Sequence, residues 1–108
     1  MRSIYKYELK GDGPNILKGH FKRFLDIKRQ GNIIAIWAEV DDEQWPLQEV
    51  EIWGVGTGWN LSETGENFQN TSEWKYLGTE IDWMGYVWHF YMRRQQQSNN
   101  FFESLFKF

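Results

Sequence analysis

The segment FKRFLDIKRQGNIIAIWAEV, residues 21–40, decides the fold class. Phe21, Leu25 and Ile27 are set against Lys22, Asp26 and Lys28. Ile33 to Val40 follows as a run of branched and aromatic residues. The dominant period is two, which is the period of a strand. Gly31-Asn32 separates the two runs, and two such residues between strands predict a tight hairpin. Toward the N-terminus, Ser3 to Leu9 alternates Tyr5, Tyr7 and Leu9 against Lys6 and Glu8, a further strand, and residues 11–15 form a turn cluster. Toward the C-terminus, residues 41–46 break the pattern, and Leu47 to Val55 resumes it. Residues 56–72 read as a long polar loop, Glu73 to Glu80 as a fifth strand, Asp82 to Gly85 as a turn, and Tyr86 to Met92 as a sixth strand. Six strands with short connections and no crossover helix predict an all-β fold: a single antiparallel β-sandwich or small open barrel of about six strands.

The domain is expected to span residues 1–94. Residues 95–100 (Gln-Gln-Gln-Ser-Asn-Asn) read as a polar linker. Residues 101–108 place Phe101, Phe102, Leu105 and Phe106 at helical spacing, with Asn100 and Glu103 positioned as a capping box. That short C-terminal helix is not stable alone in water and must dock, either on its own sheet or on a partner. A homo-oligomer through this segment is one expectation, and so is a contact with a host protein.

Composition limits the function. The chain has 108 residues and no cysteine, which excludes disulfides, thiolate metal sites and cysteine nucleophiles. No apolar run approaches the length of a membrane span, and the N-terminus lacks a secretion signal, so a cytoplasmic protein with no membrane partner is expected. The net charge of −3 is unevenly spread. Residues 1–31 carry eight basic and three acidic side chains, whereas residues 32–85 carry one basic and eleven acidic. Duplex DNA is a disfavoured partner for such a chain.

Several constellations invite chemistry. Gly54-Val55-Gly56-Thr57-Gly58-Trp59 is glycine-rich, so its backbone can approach a ligand, and successive N–H groups can form an anion nest. Gly56, Thr57, Gly58 and Trp59, with the basic pair Lys22 and Arg23, are the candidate site for a small anionic ligand. The alternative for the glycines is a strand bulge. Seven tryptophans exceed what one small core needs. Trp37, Trp53, Trp74 and Trp88 fall on strands and default to core. Trp45, Trp59 and Trp83 fall in loops; Trp45 and Trp83 join the Phe-rich tail as protein-contact candidates. His20 and His89 could serve as acid and base of a phosphodiesterase, although a hydrogen-bonded strand residue is the plainer role for His89. Glu39, Asp41, Asp42 and Glu43 are acidic without metal-ligand spacing, so no metal and no cofactor are expected.

Five motifs together resemble a family of small bacteriophage and prophage proteins catalogued as a domain of unknown function. They are Ile4-Tyr5-Lys6-Tyr7, Ile36-Trp37-Ala38-Glu39-Val40-Asp41, Val55-Gly56-Thr57-Gly58, Tyr76-Leu77-Gly78-Thr79 and Val87-Trp88-His89-Phe90. The resemblance covers roughly residues 2–91. It implies a phage-encoded accessory protein acting in the bacterial cytoplasm, and it transfers no catalytic residue. Trp59 stands where a histidine often follows the Gly-Thr-Gly, and residues 92–108 extend past the usual end. The expected function is non-enzymatic: sequestering or blocking a host component, either a nucleotide-type anion or a protein. The two-histidine hydrolase and a phage assembly role are the alternatives.

Overall fold

The computed structural model describes residues 1–94. Its strands are β1 (Arg2–Leu9), β2 (Gly13–Gly19), β3 (Phe21–Gln30), β4 (Ile33–Asp41), β5 (Gln48–Gly56), β6 (Lys75–Ile81) and β7 (Val87–Arg94). A 3-10 turn at Leu61–Thr64 interrupts the loop between β5 and β6. Two antiparallel sheets result, ordered β1-β4-β3 and β2-β5-β7-β6. They pack as an open sandwich, as the alternation predicts. The expected C-terminal helix, with Phe101, Phe102, Leu105 and Phe106, lies outside the described residues.

The hairpin read from residues 21–40 is present. Gln30 pairs with Ile33, and Gly31 has φ 63°. A positive φ at the first central residue alone is the pattern of a type II′ turn, whose twist matches that of its strands. β4 sends Ile34, Ile36, Ala38 and Val40 inward, where β3 adds Phe21, Phe24 and Ile27. The facing sheet supplies Leu17, Val50, Ile52, Phe90 and Met92. Alternate residues of β4 and β5 thus build one core between the layers, whereas β3, bulged twice, contributes every third residue, so that Phe24 and not the expected Leu25 is buried.

One strand was not legible as such. The turn cluster at residues 11–15 is only half a turn, because β2 starts at Gly13 and brings the strands to seven among the described residues. Asn15 points inward and is buried. Its carbonyl oxygen accepts from the Lys10 amide at 2.8 Å, and its amide donates to the Ile52 carbonyl at 3.1 Å. A turn-type residue therefore clasps the β1–β2 connection to the neighbouring strand. Pro14 is tolerated because β2 is an edge strand.

The outer face of the four-stranded sheet carries a second core. Val55, Phe68 and Trp74 are buried there, with Trp53 and Tyr91 packed on them. Phe68 stacks on Tyr91 with centroids 4.8 Å apart, and lies 4.7 Å from Trp74. The loop between β5 and β6 is thus a cover. Arg93 of β7 fixes it: the guanidinium pairs with Glu51 of β5 at 3.0 Å, with Glu66 at 3.2 Å, and with Glu73. It also lies 4.6 Å over the Trp74 ring. Burial opposes the Arg93 charge, but the hydrogen bonds it donates to Glu73 and Glu51 and the field of the carboxylates outweigh it, so its pKa rises.

Candidate functional site

Trp88 is the hub of one end of the sandwich. It opposes Gly56 in the β5–β7 register. Its ring lies against Gly11, where an added Cβ would come within 2.5 Å of Cε2. Trp59 packs edge-on to it, with ring centroids 5.4 Å apart and planes at 86°. Gly56 is likewise bare so that the Trp59 ring can sit on it, since a Cβ there would meet Nε1 at 2.6 Å. The Trp88 indole N–H donates to Asp82 at 2.8 Å. Asp82 in turn accepts from the Met84 amide at 2.9 Å and the Tyr86 amide at 3.0 Å, which organises the β6–β7 turn. The Trp88 hydrogen bond, followed by those amides, holds the Asp82 carboxyl below the usual carboxylate range.

Two segments far apart in sequence therefore meet at Trp88. Each shows large apolar side chains to solvent: Trp59 is 48% exposed, and Trp83, Met84 and Tyr86 are each about 60% exposed. These side chains stand on a hydrogen-bonded turn and a packed ring. They form an aromatic end on a fixed base.

This end is acidic. A depression of about 600 Å³ beside Trp59 is lined by Asp12 and Glu63 as well as Trp53. A second, of about 260 Å³, is lined by Gly56, Thr57, Gly58, Trp59 and His89. Neither is lined by a lysine or an arginine. The smaller one falls below the size of usual small-molecule pockets.

The glycine loop differs from the nest its sequence permits. Only Gly58 of Gly56, Thr57 and Gly58 is left-handed, at φ 87°. The Thr57 amide donates to the Val87 carbonyl at 3.2 Å, and the Trp59 amide donates to Gly56 at 3.1 Å. Those N–H groups are satisfied within the fold. Lys22 and Arg23 are not at the loop. Both sit on β3 of the other sheet and pair with Glu39, at 3.3 and 3.0 Å. Arg23 first, then Lys22, holds the Glu39 carboxyl below its ordinary value.

His89 has the face that alternation assigns it, beside Tyr91 and away from Phe90. Its Nε2 is 2.7 Å from the Thr57 hydroxyl and its Nδ1 is 2.9 Å from the Thr79 hydroxyl, which also meets the Tyr76 hydroxyl. Nε2 therefore ties β7 to the glycine loop, and Nδ1 ties it to β6. A hydroxyl beside an imidazole is the start of a nucleophilic pair, but here a second hydroxyl occupies the place where a carboxylate would stabilise the imidazolium. His20 belongs to a different depression, with Tyr5, Tyr7 and Lys18. Its Nδ1 contacts the Trp45 carbonyl at 2.8 Å. Trp45 lies in the β4–β5 connection, at the other end of β5 from Trp59, and is half-buried. Of the acidic stretch, Glu39 and Asp41 lie on β4, and Asp42 and Glu43 lie in the turn after it, where the Glu43 amide donates to the Asp41 carboxylate at 3.1 Å; no metal-binding group occurs among the described residues.

Sequence reasoning placed Trp59 and Trp83 in loops but not together. Trp74, read as part of the fifth strand, is a buried core residue just before β6. The meeting of Trp59, Trp88 and Asp82 carries no local sequence signal, since it depends on which strands pair.

A family model matches residues 1–100, and the chain belongs to that family, described as Domain of unknown function (DUF7352). No curated protein and no solved structure matches the chain. No helix among the described residues is long and apolar enough to cross a membrane.

Proposed function

We propose that this member of a family of unknown function is a non-enzymatic binding module, and that its target is a protein. The observation that carries the reading is the exposure of Trp59, Trp83, Met84 and Tyr86 around the fixed Trp88. Tryptophan and tyrosine are the residues that dominate interface energetics. An ordered turn lets them bind at small conformational cost. Asp12, Glu63 and Asp82 around them favour a partner surface that carries lysine or arginine among apolar groups, since such cations also stack on indoles. The resemblance to bacteriophage and prophage proteins supports the finer statement: a phage accessory protein that blocks a basic host protein in the bacterial cytoplasm.

The other readings have less support. A nucleotide-type anion would need donors and cations at the glycine loop. There the Thr57 and Trp59 amides are engaged, and Lys22 and Arg23 lie on another sheet. A hydrolase working through His20 and His89 would need them in one cleft, and they line separate depressions. Assembly through the Phe-rich tail concerns residues outside those described.

The test is affinity capture from bacterial lysate with four baits: the wild-type protein, Trp59→Ala, Trp83→Ala and Trp45→Ala. The reading predicts one discrete protein retained by the wild type and by Trp45→Ala, lost from the other two, and released by raised salt. Retention that ignores Trp59 and Trp83 would sink it.

A further inference from the structure

The four sheet edges are not equally protected. β3 pairs with β4 through two register shifts, and β6 pairs with β7 through one. β2 carries Pro14. Bulges and proline are devices that keep an edge strand from recruiting another. β1 has neither. Its eight residues Arg2–Leu9 pair with β4 in unbroken register, and no described strand pairs on its other side. Lys6, the one residue at the middle of β1 that would blunt the edge, reaches across the sheet instead: its ammonium donates to Gln30 of β3 at 2.9 Å.

The phase of the free edge follows from two bonds. The Asp42 amide donates to the Met1 carbonyl, and the Asp41 amide donates to the His20 carbonyl on the β3 side. Arg2 and Asp41 are therefore a non-hydrogen-bonded pair, and Ser3, Tyr5, Tyr7 and Leu9 make the bonds to β4. The N–H and C=O groups of Arg2, Ile4, Lys6 and Glu8 point away from the sheet.

We propose that β1 pairs antiparallel with β1 of a second copy of this chain, forming a continuous six-stranded sheet. Charge selects both the occupant and the register. With the two-fold axis at Tyr5, Arg2 faces the partner's Glu8 at both ends of the ladder. Ile4, which is 60% exposed, faces the aliphatic stem of the partner's Lys6. The exposed Tyr5 meets its own copy at a close, non-hydrogen-bonded position. Aromatic and opposite-charge cross-strand pairs both favour this arrangement. A two-residue slip in one direction sets Arg2 against Lys6, and in the other sets Lys6 against Lys6. A one-residue slip turns the bonding groups of one strand away from the other. Arg2 and Glu8 are exposed and have no hydrogen-bond or ion-pair partner among the described residues. This interface lies on the sheet opposite the aromatic end and does not depend on the function proposed for that end.

Sedimentation equilibrium of the full chain tests it, with circular dichroism to confirm that each variant is folded. The wild type is expected to be a dimer. Arg2→Glu and Glu8→Arg each convert two attractive contacts into two repulsive ones and should weaken the dimer by on the order of tenfold or more. An equimolar mixture of these two variants should dimerise again, because every acidic end then meets a basic one. Ile4→Pro removes an N–H that faces the free edge, so it should give a folded monomer. A monomeric wild type would overturn the proposal. So would a dimer unmoved by either charge reversal, or a mixture of the two variants that fails to re-form it.

Discussion

Two aromatic regions outside the inter-sheet core treat water in opposite ways. On the outer face of the four-stranded sheet, Phe68 and Trp74 of the loop between β5 and β6 are buried beside Val55, with Trp53 and Tyr91 partly buried against them, and Arg93 ties that loop down through Glu51, Glu66 and Glu73. At the end of the same sheet, Trp59, Trp83 and Tyr86 stand in solvent around Trp88. An aromatic excess is therefore not one signal. Part of it compensates for a sandwich too small to bury everything between two sheets, and part of it is surface with no partner inside the fold. The covered region should govern stability, and the open region should govern recognition.

Phe68→Ala breaks the comparison most severely, because it removes the plug of the covered region. A loss of about 3 kcal/mol in unfolding free energy is expected, in line with other buried Phe truncations. Urea denaturation measures it, and cleavage of the loop at residues 57–74 by a protease should rise in parallel. A loss under about 1 kcal/mol would mean that the loop does not cover a core at all. Next comes Arg93→Met. It removes the guanidinium that pairs with the buried Glu51 carboxylate, and about 2 kcal/mol is expected after allowing for the partly exposed Glu73 and Glu66.

A third effect is pH-dependent and local to the open region. Asp82 is held below its ordinary pKa by the Trp88 indole N–H and then by turn amides. A depressed carboxylate stabilises the fold above its unfolded value, and that stabilisation is lost as pH falls through the folded one. The Trp88 indole resonance should therefore shift at acid pH in the wild type, well below neutrality. In Asp82→Asn it should already sit near its acid position at pH 7. A shift that persists in this variant would remove Asp82 as its cause. The smallest stability effect belongs to Trp83→Ala, expected to stay within about 0.5 kcal/mol of the wild type because the side chain touches little of the fold. A larger loss would move Trp83 from recognition to packing.

The sequence reads well where one face of a strand is buried. The run at residues 21–40 announces its hairpin because Phe21, Ile27, Ile36 and Val40 must all reach one core. Strand β2 was hidden because Gly13, Pro14 and Asn15 are turn formers. Pairing with β5 and the inward hydrogen bonds of Asn15, neither visible locally, explain their extended conformation. The loop at residues 56–72 looks polar because a single Phe68 anchors it, and the cation that holds it, Arg93, comes from a strand more than twenty residues away. The glycine loop reads as a close approach of backbone to a ligand, but what lies against Gly56 is the chain's own Trp59 ring. Lys22 and Arg23 could be seen as basic, whereas their partner Glu39 could be seen only once β3 and β4 were paired. Side-chain character is local, and company is set by topology.

The most direct test of the central claim is site-specific photo-crosslinking in bacterial cells. A photoreactive amino acid is placed at position 83 or 86 in the aromatic end, and at position 45 as a control at the other end of β5. One discrete protein adduct from positions 83 and 86, and none from position 45, is the predicted result. Adducts of equal yield from all three positions, or none from positions 83 and 86, would contradict the account.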